Sequence, residues 1–273
     1  RSVPWYTACF GIGTGGSFGL MGVLLAYADW RLAAYLGAGG AMFAAMLVLF
    51  LVQPCPVAPL PATKTKRHPL DLRPAFQKPV ALGYIFAYGT HTYELFAFRT
   101  WSFALLVFLA SRADGGMGIG TVTMIVSLIT ITGMLASLLG ARLCLAFGRH
   151  RMIALIGGAT ALVSVIVAFS LDGPVWIAVA GLWIYNGFIM LDSGALTTGT
   201  VEAGDAYDRG ALLAVHSMIG FGGGALGGPV VGYVLDHAGG ASMMGAWFYA
   251  LLAMGAGSAI VFAVQRHFWR RIG

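Results

Sequence analysis

Charged positions divide this chain into long apolar stretches. Six runs carry no Asp, Glu, Lys or Arg: Ser2 to Ala28, Leu32 to Thr63, Gly115 to Ala141, Met152 to Leu171, Gly173 to Leu191 and Ala238 to Gln265. Residues 80–109 and 211–235 add two more apolar stretches. A helix needs about 20 apolar residues to cross a bilayer, so each stretch holds one span. None alternates apolar and polar residues as the strands of a closed membrane barrel do. The pattern predicts an all-α polytopic membrane protein with eight transmembrane helices.

Composition narrows the class further. Of 273 residues, 59% are hydrophobic and 10% charged, against about 45–50% and about 25% in soluble domains. So few charges exclude a soluble globular enzyme, and 17 Phe, 7 Trp and 10 Tyr exclude a disordered chain. Three cysteines, Cys9, Cys55 and Cys144, without a C-x-x-C spacing, point to neither a disulfide framework nor a zinc site. No metal, cofactor or enzymatic role is predicted.

The net charge of +6 acquires meaning from its placement. With the N-terminus inside, 13 of the 16 basic residues fall on the cytoplasmic side, among them Lys64, Lys66, Arg67, Arg73, Lys78, Arg149 and Arg209. Arg31 and Arg112 fall outside, and Arg99 lies within a span. Basic residues in short loops mark the cytoplasmic face, so both termini are expected in the cytoplasm of a plasma (inner) membrane protein. The charge is a topology signal, and no nucleic-acid partner follows from it.

Residues 54–79 break the apolar pattern with seven of the ten prolines. Proline resists helix continuation, so this stretch reads as a basic cytoplasmic linker, or more simply as a solvated loop near anionic headgroups. It separates residues 1–53, two helices, from residues 80–273, a six-helix bundle. An internal repeat relates the two parts. Gly11, Gly13, Gly15 and Gly19 recur in spacing as Gly220, Gly222, Gly224 and Gly228, each set within a span, where small residues allow close helix packing. A dinucleotide-binding reading of these glycines fails, because that fingerprint needs a preceding strand. The second set lies on the fifth of six helices. If the halves are equivalent, the first set also lies on a fifth helix, and four helices are expected before Arg1. The expectation is a 6+6 protein represented by helices five to twelve.

The segment from Arg142 to Arg151, RLCLAFGRHR, resembles the G-x-x-x-D-R-x-G-R-[KR] loop of the major facilitator superfamily. Gly148, Arg149 and Arg151 match its end, while Leu145 and Ala146 stand where an acidic and a basic residue are expected. The segment from Ala195 to Glu202, with Asp208, Arg209 and Gly210, is similar to the family's loop between the fourth and fifth helices of a half. The resemblance covers essentially the whole chain and implies two six-helix bundles that move a solute by alternating access. It also implies a cytoplasmic gate formed by Arg149, Arg151, Glu202, Asp208 and Arg209, with Asp205 nearby. The alternative is a basic topology loop, with Asp205 or Asp208 capping the next helix.

Three charged residues fall within spans: Glu94, Arg99 and Asp192. Intramembrane charges are expensive and usually face a cavity or a partner. His91 and Glu94 stand three residues apart on one helix, close enough to share a proton. Glu94 lies near the middle of its span and Arg99 further outward. Glu94 is then a proton site tuned by His91, and Arg99 a fixed charge for an anionic substrate group, since guanidinium holds carboxylates bidentately. A structural His–Glu–Arg network is the alternative. Asp192 lines the cavity or caps a broken helix near Gly194, and His216, one turn into its span, reads as an interfacial polar residue. The leading function is proton-coupled secondary transport of a small polar solute, anionic if Arg99 binds it, across the lipid bilayer, as symporter or antiporter. The alternatives are proton-coupled efflux of amphipathic compounds, suggested by Phe96, Phe98 and Trp101, and a non-transporting membrane receptor.

Overall fold

Helices form here because the apolar runs must satisfy every backbone donor and acceptor internally. The computed structural model describes residues 2–27, 29–53, 68, 71–113 and 116–272. In chain order the helices are α1 (Ser2–Tyr27), α2 (Trp30–Leu51), α3 (Arg73–Phe76), α4 (Pro79–Arg112), α5 (Ile119–Phe147), α6 (Arg149–Ser170), α7 (Val175–Leu191), α8 (Ser193–Glu202), α9 (Arg209–His237) and α10 (Met244–Ile272). No strand occurs among the described residues.

Seven of the eight expected spans are long and apolar enough to cross a membrane within the described residues, with α7 and α8 together, Val175–Glu202, forming one of them. The eighth is α1, a continuous helix whose apolar stretch Cys9–Leu24 is shorter. Most of the expected linker, including Lys64, Lys66 and Arg67, lies outside the described residues. Its described end holds the single-turn helix α3, with Pro74 in its first turn.

The surface shows why the solvent is lipid. Along α6, Leu155, Leu162, Ile166 and Phe169 are exposed, while Ile153, Ile156, Thr160, Ser164 and Val167 face inward. The outside is at least as apolar as the inside. A water-soluble monomer rarely exposes contiguous apolar surface on this scale; a bilayer accommodates it, and packing rather than hydrophobicity then joins the helices.

Glycines set the closest approaches. On α9, a Cβ at Gly223 would collide with the Gly89 carbonyl of α4, and one at Gly227 with the Tyr93 carbonyl. The Thr92 hydroxyl donates to the Gly220 carbonyl at 2.6 Å and the Trp101 indole N–H to the Gly228 carbonyl at 2.9 Å. On α1, a Cβ at Gly15 would lie 3.0 Å from the Ser127 carbonyl of α5, and the Ser127 hydroxyl donates to the Gly15 carbonyl at 2.6 Å. Both repeats therefore lie on helices seated against α4 or α5. Within the repeats, Gly220 faces Tyr88, Gly224 faces Phe96, Gly19 faces Ser127, and Gly11 and Gly228 make ordinary contacts. Gly13 and Gly222 meet nothing within 4 Å, so the packing role expected of them does not appear among the described residues.

The span Val175–Glu202 is interrupted at Asp192, where α7 ends and α8 begins. On α5, Gly140 brings its backbone against the Leu191 carbonyl, leaving no room for a Cβ. The interruption sits at mid-bundle, beside α4, and carries an acidic side chain inward.

Candidate functional site

Helix α4 presents two chemically different faces. At 100° per residue, Tyr88, Thr92, Leu95, Phe96 and Arg99 fall within one broad face, while Glu94 is turned roughly 160° from Thr92. The first face opens to a pocket of about 510 Å³ shared with α1, α7, α8 and α9. The second faces the bundle interior.

Glu94 is 1% exposed. The Tyr185 hydroxyl of α7 donates to its Oε1 at 2.6 Å, and the Ser258 hydroxyl of α10 donates to its Oε2. Gly257 makes room for this contact: a Cβ there would lie 2.9 Å from the Glu94 Cβ. Both partners are hydroxyls, able to donate to a carboxylate or accept from a carboxylic acid. The shell can therefore serve either protonation state of Glu94 by hydroxyl rotation.

His91 does not pair with Glu94. Its Nδ1 lies 2.8 Å from Asp192 Oδ1 at the α7–α8 interruption, both side chains being almost fully buried. This is a close approach rather than an aligned hydrogen bond, since Asp192 Oδ1 has no hydrogen-bond partner, and neither has His91 Nε2. As the first-turn boundary of α8, Asp192 makes no side-chain cap bond; its carboxylate is turned to His91. The sharing expected from the i, i+3 spacing is thus replaced by two separate acid sites, Glu94 with its hydroxyls and Asp192 with His91.

Tyr88 lies between the histidines. Its ring stacks on His216 at 3.8 Å and on His91 at 5.8 Å between centroids. His216 is buried, with its Nδ1 3.0 Å from the Thr200 hydroxyl and its Nε2 3.4 Å from that of Thr197. It lines the pocket together with Tyr88 and Arg99, rather than marking an interface.

Arg99 reaches the pocket from the end farthest along α4. Its guanidinium lies 5.2 Å from the Phe10 ring centroid and 5.8 Å from that of Phe96, within cation–π range. Its Nε is buried without a hydrogen-bond partner. Of the three aromatics singled out in sequence, Phe96 lines the pocket. Phe98 packs edge-on against Tyr185, and Trp101 ties α4 to α9.

The expected gate residues cluster at one end of the bundle. Arg149, at the start of α6, lies 2.8 Å from Glu202 at the end of α8. Lys78, just before α4, lies 3.0 Å from Asp208, which precedes α9 without forming a side-chain cap bond. Arg151 and Arg209 are exposed on the first turns of α6 and α9, and Asp205 is exposed in the turn between α8 and α9. At the same end, His150 lies 2.7 Å from Gln265, whose amide donates to the Gly83 carbonyl at 2.9 Å.

Tyr185, Ser258, Tyr88, Thr197 and Thr200 were not among the site residues expected from sequence. In a membrane span a hydroxyl residue has no local signature; only its partner, more than 90 residues away in the case of Tyr185 and Glu94, gives it a role.

A bundle of apolar helices enclosing buried acids beside a pocket defines an integral membrane protein. The sequence profile described as Major Facilitator Superfamily matches residues 3–227, and the chain belongs to that family. Membership points to part of a transporter rather than to an enzyme. No curated protein matches it by sequence. Among solved structures it is similar to that of the E. coli fucose:proton symporter FucP, with a TM-score of 0.64 at 16% identity, covering 90% of this chain and 60% of that one. At that identity the likeness concerns the fold. The chain spans about 60% of the length of the structure it matches.

Proposed function

We propose that this chain works within a proton-coupled secondary transporter that carries a small polar solute by alternating access. The observation that supports this reading is Glu94, a carboxyl buried at mid-span between two hydroxyls able to serve it in either protonation state. An ionisable group so placed is a functional site by default in a membrane protein. The similar structure is that of a protein named as a proton symporter, which favours the same coupling.

In this reading, Glu94 binds and releases the proton, and the separate His91–Asp192 pair is a second buried polar site at the α7–α8 interruption. Arg99 faces the solute. Residues 1–53 are the last two helices of one bundle, 54–79 the linker, and 80–273 the other bundle. The basic end, with both termini of this chain, lies in the cytoplasm of the plasma (inner) membrane, where Arg149–Glu202 and Lys78–Asp208 help to hold the gate. The aromatic lining supplied by Phe10, Phe96 and Phe221 favours amphipathic cargo as a second reading of direction and substrate.

The test is uptake into proteoliposomes by the full-length protein with a panel of radiolabelled sugars and carboxylates. A solute is expected to accumulate under an imposed pH gradient, and Glu94→Gln is expected to retain solute exchange while losing accumulation. Accumulation undiminished in Glu94→Gln would remove Glu94 from the coupling role.

A further inference from the structure

The pocket between α1, α4, α8 and α9 has a chemistry that goes beyond a generic polar solute. Resting on the transporter reading above, and taking its amphipathic cargo over a small polar one, we infer that it takes an amphiphilic monoanion: an apolar, preferably aromatic body bearing one carboxylate, its head on Arg99.

Charge is the first argument. Arg99 is the one Asp, Glu, Lys or Arg among the described residues lining the pocket. Aromatic faces hold its guanidinium, not a carboxylate, and its buried Nε has no hydrogen-bond partner. Of the two nearby acids, Glu94 is turned to the far side of the helix, toward Tyr185 and Ser258, and Asp192 is not part of the lining and lies 2.8 Å from His91. A guanidinium with unused donors in a low-dielectric pocket matches a carboxylate in geometry and charge. One fixed positive charge matches one negative charge, since a second would be buried without a partner.

The walls are the second argument. The surface that faces the pocket is mainly apolar, with Phe10, Leu95, Phe96, Met190, Leu213 and Phe221 contributing to it, while hydroxyls come from Tyr88, Thr92, Ser193, Thr197 and Ser217 and an imidazole from His216. Phe96 and Phe221 meet edge to face at 6.5 Å, a geometry that aromatic pairs favour. A sugar needs a hydrogen-bonding group for nearly every hydroxyl it buries. The described lining contains no Asp, Glu, Asn or Gln, the side chains that hold adjacent hydroxyls in pairs. The pocket therefore suits an apolar body with a charged head and disfavours a polyol.

The experiment measures binding to the full-length protein by calorimetry with four probes: phenylacetate, its neutral isostere phenylacetamide, the dianion succinate, and fucose. Phenylacetate is expected to bind at least ~10-fold more tightly than phenylacetamide, the scale of one charge-assisted hydrogen-bonded contact, and more tightly than succinate or fucose. Arg99→Gln should bring phenylacetate down to the level of phenylacetamide, and Phe96→Ala should weaken both alike. Equal binding of phenylacetate and phenylacetamide by the unaltered protein overturns the inference, as does a preference for fucose or succinate; neither needs a variant to fold. Proton-driven uptake of another panel member with phenylacetate inert would sink this substrate class while leaving the transporter reading intact. Loss of proton coupling for every panel member, with phenylacetate still bound preferentially, would do the reverse.

Discussion

The hydroxyl of Tyr185 lies 2.6 Å from Glu94 Oε1 and donates to it across the bundle, from α7 to α4. Both side chains are almost completely buried, so neither has water as an alternative partner, and the bond is among the shortest joining two spans.

Replacing Tyr185 by Phe removes that donor and little volume. The expected result is a shift of the Glu94 carboxyl stretching band in infrared difference spectra recorded across a pH step, the band being assigned by its loss in Glu94→Gln. A Tyr185→Phe spectrum superposable on that of the unaltered protein would contradict the pairing.

Adjacent glycines on α9 should behave oppositely. A Cβ at Gly222 meets nothing within 4 Å, whereas one at Gly223 would collide with the Gly89 backbone. Gly222→Ala is therefore expected to be neutral or stabilising by up to ~1 kcal/mol through helix propensity, and Gly223→Ala to cost ~1–3 kcal/mol through overpacking. Thermal unfolding in detergent compares them; equal Tm values for the two variants would refute the α4–α9 packing.

That contrast shows what the sequence could reveal and what it could not. The apolar runs located the helices, because a bilayer demands uninterrupted apolar length. The glycine repeat identified α1 and α9 as close-packing helices, yet the tightest contacts on α9 are at Gly223 and Gly227, outside the repeat. Spacing alone does not say which face of a membrane helix meets a neighbour, since lipid-facing and core-facing positions are both apolar. The same limit applies to Glu94: its rarity made it conspicuous, but its partners Tyr185 and Ser258 are ordinary residues on other helices. His91 was legible as a polar intramembrane residue, while its pairing with Asp192 depends on the interruption between α7 and α8.

The ion pairs at the basic end should contribute little to stability. In Arg149–Glu202, the Glu202 side chain is 56% exposed, and exposed pairs are worth ~0.2–1 kcal/mol. Glu202→Gln is expected to shift Tm by no more than about 4 °C and, if the pair belongs to a gate, to change turnover while leaving solute affinity intact. A large Tm loss would assign the pair to the scaffold, and unaltered turnover would remove it from the gate.

Proton movement that accompanies solute flux is the most direct test of the central claim that Glu94 carries the coupled proton. With the full-length protein in proteoliposomes containing a pH-sensitive dye, addition of a transported solute is expected to produce an immediate lumenal pH change. In Glu94→Gln, solute exchange should persist with no such change. A pH change of the same size in Glu94→Gln would contradict the account.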